Sequence, residues 1–192
     1  MGNSILQVVI KLSLFFFIIL LGCGPSNKVN LIYPKGEIVL PKSGAPRVVV
    51  VLFHGSNKLH TIGTKTDGSH FMPTSPVTEW ISRSLAEELS KQGLQVSYAR
   101  DLAQAKMSHP NYIVTGTISE VWVVEENPAT FTAAIGLKVS LSNNKGVIYT
   151  ENFNSSQERQ SIPIGSQVEV LLSTTLKSLL ESIAKKIHSE IH

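Results

Sequence analysis

The residues of this chain that could do chemistry are six histidines, one cysteine and three Gly-Ser pairs. The stretch RVVVVLFHGSNK, Arg47 to Lys58, ends an apolar run in His54-Gly55, as an esterase strand does before its oxyanion loop. Such an esterase also needs a serine on a sharp strand-to-helix turn, with the spacing G-x-S-x-G. Gly55-Ser56, Gly68-Ser69 and Gly165-Ser166 all lack that spacing, and the late histidines, His188 and His192, stand at the very end of the sequence. Acyl transfer at Ser56 is therefore not supported. His188 and His192 are four apart, a spacing that can present two metal ligands on one helix face. The zinc-protease pattern also needs Glu directly after the first His, and Ser189 stands there. With His54, His60 and His70 in one polar stretch, solvated histidines are expected and no metal site. Lys58 and Lys65 alternate with Gly55, Gly63 and Gly68, but the spacing G-x-x-x-x-G-K-[ST] of a phosphate loop is absent.

The elements that must position these residues read as β-α-β-(short α)-β-β-β-α. Val48–Phe53 is apolar throughout, as expected of a strand covered on both faces. His54–Thr74 is rich in Gly, Ser, Thr and Lys and reads as a long, mobile loop. Ser75 is placed to cap a helix with Pro76 at its first position and Gly93 at its exit. Val77, Ile81, Leu85 and Leu89 form its apolar stripe. Leu94–Ala99 follows as a strand, then a short helix over Asp101–Lys106. Tyr112–Glu125, Thr130–Ser142 and Val147–Gln157 read as three strands, the second with apolar residues at alternate positions from Phe131 to Leu141. Asn143-Asn144-Lys145-Gly146 joins the last two as a hairpin. Ser166-Gln167-Val168-Glu169 is a capping box opening a long amphipathic helix. The fold class is α/β (α+β): a single domain with one mixed sheet packed by two main helices. Trp80 and Trp122 read as core or half-buried residues.

The N-terminal segment has a different character. LSLFFFIILL, Leu12 to Leu21, is about ten apolar residues, too few to span a bilayer as a helix, which takes roughly 20. It fits the apolar region of a signal peptide. The run closes on Gly22-Cys23, and Cys23 is the only cysteine, so it has no internal disulfide partner. Leu20-Leu21-Gly22-Cys23 resembles the lipobox of bacterial lipoproteins. That resemblance implies cleavage between Gly22 and Cys23, a thioether-linked diacylglycerol on Cys23 and an N-acyl chain. Multiple acyl chains make a stable anchor. Gly24, rather than Asp, follows the cysteine, which implies delivery to the outer membrane. The expected organisation is residues 1–22 signal peptide, 23–30 lipidated tether and 31–192 periplasmic domain.

Charge narrows the partners. The chain carries 17 Lys and Arg against 14 Asp and Glu, a net +3 over 192 residues, with no basic run. Nucleic acid is therefore not an expected partner. An envelope protein is, besides the membrane itself. No cofactor is expected beyond the acyl groups.

The lipobox, the strand VVVVLF, the stretch through TIGTK and the helix PVTEWISRSLAEELSKQG together resemble small Gram-negative lipoproteins of the YajG type and the auxiliary lipoproteins of ABC-type transporters, such as PqiC. Where such proteins carry an acidic–polar–basic stretch after the first core strand, this chain has Phe53-His54-Gly55-Ser56-Asn57-Lys58, without the acid. The element order also resembles the N-terminal domain of TolB and lipoprotein activators of peptidoglycan synthases. The resemblance implies a non-enzymatic outer-membrane lipoprotein on the periplasmic face, an accessory or binding subunit in envelope transport or assembly. An activator or scaffold of peptidoglycan synthesis is the alternative. Partner contact is expected on His54–Thr74, at His54, Lys58, Ile62 and Lys65, and on the edges of the three-strand meander.

Overall fold

The computed structural model describes residues 27–37, 39–55, 57–160 and 167–191. The expectations for the signal peptide, Gly22, Cys23, Ser56, the Ser166 cap and His192 lie outside the described residues.

The fold is a mixed sheet of nine strands with two long helices on one face. Its first core strand is β2 (Arg47–Val51), where four consecutive valines are buried. Valine is stiff at χ1 and packs well on a pleated surface. β2 lies parallel between β6 (Gln95–Ala99) and β7 (Tyr112–Asn127). Val48 and Val50 face the main core, and Val49 and Val51 face a smaller cluster on the other side. The expected cover on both faces of this strand is present.

β7 is the spine of the sheet. Along one edge it pairs antiparallel with β8 (Thr130–Asn143), which in turn pairs with β9 (Gly146–Gln160). Along its other edge it takes three short partners in succession. These are β2 at Tyr112–Val114, β3 (His54–Gly55) at Thr117–Ile118 and β4 (Gly63–Thr64) at Val123–Val124. β5 (His70–Pro73) extends the row antiparallel to β4, and β1 (Lys28–Val29) closes it parallel to β5.

The main core lies between this sheet and two helices, α1 (Val77–Lys91) and α3 (Gln167–Ile191). Leu85 and Leu89 of α1 and Leu172, Leu176 and Leu180 of α3 are fully buried. Each such side chain contributes about 1.5–3 kcal/mol through its apolar burial. On the opposite face, among the described residues, stands only α2 (Leu102–Met107), whose Ala105 packs on Val49, Val51 and Ala99. Asp101 caps α2, its side chain accepting from Gln104 N at 2.8 Å.

Three expectations change. Ser75 does not cap α1. Pro76 keeps an extended ψ of 121° and is itself the N-cap, so the helix starts one residue later, at Val77. Gly93 does end it, at a φ of +78° that glycine adopts without strain. The stretch His54–Thr74 is not one mobile loop. It folds as β3, a 3-10 turn over Asn57–His60, β4 and β5, because the open edge of β7 offers unpaired backbone groups to it. Lys28-Val29, expected in the tether, belong to the sheet, and Val29 is buried in the core.

The segment after β1 has little regular structure but is strapped to α1. Trp80 Nε1 donates to the carbonyl of Ile32 at 3.1 Å. The Tyr33 hydroxyl donates to Glu88 Oε1 at 2.5 Å. Lys91 pairs with the same carboxylate from one helical turn on.

Candidate functional site

β2 and β6 both run into one groove at their carboxyl ends, on the face opposite the two long helices. In open sheets with parallel strands, that is where ligands are commonly held. The floor is Val51, Leu52 and Gly116, and Leu102 stands half exposed at the side. The rim is polar. Thr117 of β7 faces Lys138 of β8 in register, and Thr115 faces Ser140. His54 of β3 pairs with Thr117 from the other side. His54, Thr117 and Lys138 therefore form one row across three strands, the outer two separated by roughly two strand spacings, about 9.5 Å. Arg100 and Asp101 close the groove beyond the end of β6.

The local sequence explains this arrangement. Leu52 N donates to Ala99 O at 2.8 Å, continuing the β2–β6 ladder one residue past β2. Phe53 then turns inward, its backbone N–H bonded to the Ser82 hydroxyl at 2.8 Å, while that hydroxyl donates to Thr78 O. This fixes the chain so that His54 re-enters the sheet beside Thr117. Phe53 needs the space over Gly116, where a Cβ would come within 2.5 Å of its ring.

Electrostatically, Arg100 and Lys138 make the groove cationic. His54, Arg100 and Lys138 are exposed, and among the described residues none of them makes an ion pair. The one acid, Asp101, is engaged in capping α2. Ser140 and Thr150 share a hydrogen bond of 2.7 Å. Among the described residues His54 makes no hydrogen bond to a hydroxyl or a carboxylate, so no nucleophile–base pair is assembled around it. The arrangement is suited to holding an anionic group against an apolar floor.

The four residues expected to form one partner-binding loop are dispersed. His54 lines the groove. Lys58 lies in the 3-10 turn. Ile62 is fully buried in the core, held by its N–H to Phe71 O and by its carbonyl accepting from Val123 N, and is withdrawn from any surface. Lys65 is half buried at the other end of the sheet, where its ammonium bonds Asn27 Oδ1 and lies 5.4 Å from the Phe71 ring centre. His60 lines a separate hollow with Leu59 and Met72, and His70 sits on β5. Among the described residues no group of three or more His, Cys, Asp or Glu is placed to hold a metal.

Sequence reasoning missed Arg100 and Lys138. A signal was present for each. Lys138 is the charged residue at an outward position of the β8 alternation, between buried Leu137 and Val139, which marks the face turned away from the core. Arg100-Asp101 directly follows a strand parallel to β2, the position where site residues of α/β sheets gather.

The fold defines a class: an α+β domain with a curled mixed sheet and its helices mainly on one face. No family model matches the chain, and no curated protein matches its sequence. Among solved structures, it is similar to protein XCC0632 from Xanthomonas campestris, described with the family model DUF330. The TM-score is 0.60 at 10% identity, covering 85% of this chain and 95% of that one. It is also similar to the hypothetical protein CT253 from Chlamydia trachomatis, with a TM-score of 0.51 at 12% identity, covering 77% and 98%. Lipoprotein GNA1162 from Neisseria meningitidis matches at a TM-score of 0.40 and 13% identity, covering 73% and 99%, too weak a likeness to carry an argument. The first two establish a shared fold. Among the described residues no helix is long and apolar enough to cross a membrane.

Proposed function

We propose that this chain is an outer-membrane lipoprotein of the periplasmic face, anchored by acyl chains on Cys23, whose domain binds an envelope protein in transport or assembly and catalyses no reaction. One observation carries the reading: the sole cysteine closes an apolar run, four residues before Asn27, where the described fold begins. As the chain's single cysteine it has no internal disulfide partner, and its place suits an anchor. The cationic groove supports the binding role, and its chemistry fits an acidic segment of the partner. Its rim holds two cations, Arg100 and Lys138, beside His54 and one acid already in use, over a floor of valine and leucine.

The test is Cys23→Ser in the native host. The wild-type chain is expected in the membrane fraction with the added mass of its acyl groups. The variant is expected to lose both. Unchanged mass and fractionation would sink the anchor. Crosslinking in intact cells, followed by identification of the captured protein, then tests the groove. Arg100→Glu combined with Lys138→Glu should reduce the captured yield, and most strongly at low ionic strength. An undiminished yield would place the contact elsewhere.

A further inference from the structure

β9 is the longest edge of the sheet, and it is open. Fourteen register pairs tie one side of Gly146–Gln160 to β8. The other side takes no strand partner among the described residues. A 15-residue edge strand is a ready template for another chain, and proteins usually blunt such edges with proline, bulges or short length. β9 has no proline, and its one register shift lies near the start, where Ser142 pairs with Val147. The opposite edge, β6, is only five residues long and has Val39, Leu40 and Pro41 beside it.

We infer that β9 pairs antiparallel with β9 of a second copy about a two-fold axis at Ser155. The charges of the strand select this register. Two copies related by a two-fold axis perpendicular to the sheet must pair residues that share a face, so the axis falls on a residue and never between two. Centring on Ser155 sets Glu151 opposite Arg159 of the other copy, twice by symmetry. Glu158 then faces Asn152, Phe153 faces Gln157, and no two like charges stand opposite each other. Opposite charges directly across a ladder stabilise it and like charges oppose it. Within one chain neither Glu151 nor Arg159 makes an ion pair among the described residues. The paired stretch is Thr150–Gln160. The occupant is a second copy because the strand is complementary to itself.

The experiment is disulfide trapping of the full chain in its native membrane. Ser155→Cys meets its own copy across the axis at roughly 4.5–5.5 Å between Cα atoms, within disulfide range. It should give a dimer on a non-reducing gel that disappears on reduction. Asn152→Cys is the register control: its copy lies about 20 Å away along the strand, so it should trap little. The unsubstituted chain, with Cys23 alone, gives the background. In the Ser155→Cys chain, Arg159→Glu should lower the trapped fraction about tenfold, and adding Glu151→Arg should restore it. A folded Ser155→Cys chain that traps nothing, or Asn152→Cys trapping as well as Ser155→Cys, overturns the pairing. Failure of the charge swap to restore trapping overturns the register.

Discussion

Glu88 is the residue with the most at stake. It is a carboxylate only 2% exposed, on a buried helix face whose other polar side chains are the two serines Ser82 and Ser84. It is tolerated there because the Tyr33 hydroxyl donates to it and the Lys91 ammonium pairs with it. Burial first, and then the hydrogen bond to Glu88 and its charge, push the Tyr33 phenol far above its ordinary range. The neutral phenol is therefore the form that the folded state prefers. Its contribution is fully present below the unfolded tyrosine value, about 10, and is lost as pH rises beyond it. Burial, aided by Glu151 and Glu190, raises Tyr149 in the same direction. Stability measured by denaturant unfolding should therefore fall above about pH 10. Tyr33→Phe should cost about 1–2 kcal/mol at neutral pH and show a shallower alkaline decline. A Tyr33→Phe chain declining as steeply as the parent would refute the link. None of this was legible in the sequence, where Tyr33 lies in a proline-broken stretch and Glu88 reads as one solvated helix residue among several. Only the three-dimensional return of residues 31–37 onto α1 brings the two together.

The elements were more legible than their edges. Four successive valines announced a strand covered on both faces, and the alternation from Phe131 to Leu141 announced β8, because burial imposes those periods directly. The two faces of β2 are nonetheless unequal. Val50 lies beneath two long helices, and Val49 beneath the six-residue α2. The deeper side has less freedom to collapse around a void. Val50→Ala should cost about 2 kcal/mol and Val49→Ala about 1, checked by the shift in urea midpoint; equal costs would mean that α2 packs as firmly as the main layer. The stretch His54–Thr74 was misread because its strands are two to four residues long and too polar for a periodic pattern. They exist because β7 has an unpaired edge to fill, which is a tertiary fact. The groove was hidden for the same reason. His54 was visible as a candidate, but Thr117, Lys138 and Arg100 become its neighbours only through pairing across β3, β7 and β8.

At the scale of the whole molecule, the spine strand sets an axis. Asn27 O accepts from Met72 N, and through β5 and β4 that level corresponds to Val123 on β7. The hairpin turn after Asn143 corresponds to Ile113, roughly 30 Å further along the strand. Four residue steps from Cys23 to Asn27 reach at most about 14 Å. On the proposed anchoring, the Met72 end therefore lies against the bilayer and the Val147 end stands away from it. Both side chains are exposed, at 51% and 69%, and accept a label. A fluorophore on Met72→Cys should be quenched by nitroxide-bearing lipids, and one on Val147→Cys should not. Equal quenching would contradict the orientation.

On the export proposed above, the late position of β7 bears on how the chain would be threaded across a membrane. β2, β3 and β4 all pair with a strand that begins at Tyr112, so each must wait for a partner synthesised well after it. The meander β7–β8–β9 is local and closes by itself, but it too lies in the second half of the sequence. Distant pairings of this kind form slowly, because the intervening chain must be ordered first. A precursor built in this order stays open while its first hundred residues emerge, the state in which a secretion channel can thread it. On the export proposed above, the strand that later holds the sheet together would thus delay folding until delivery.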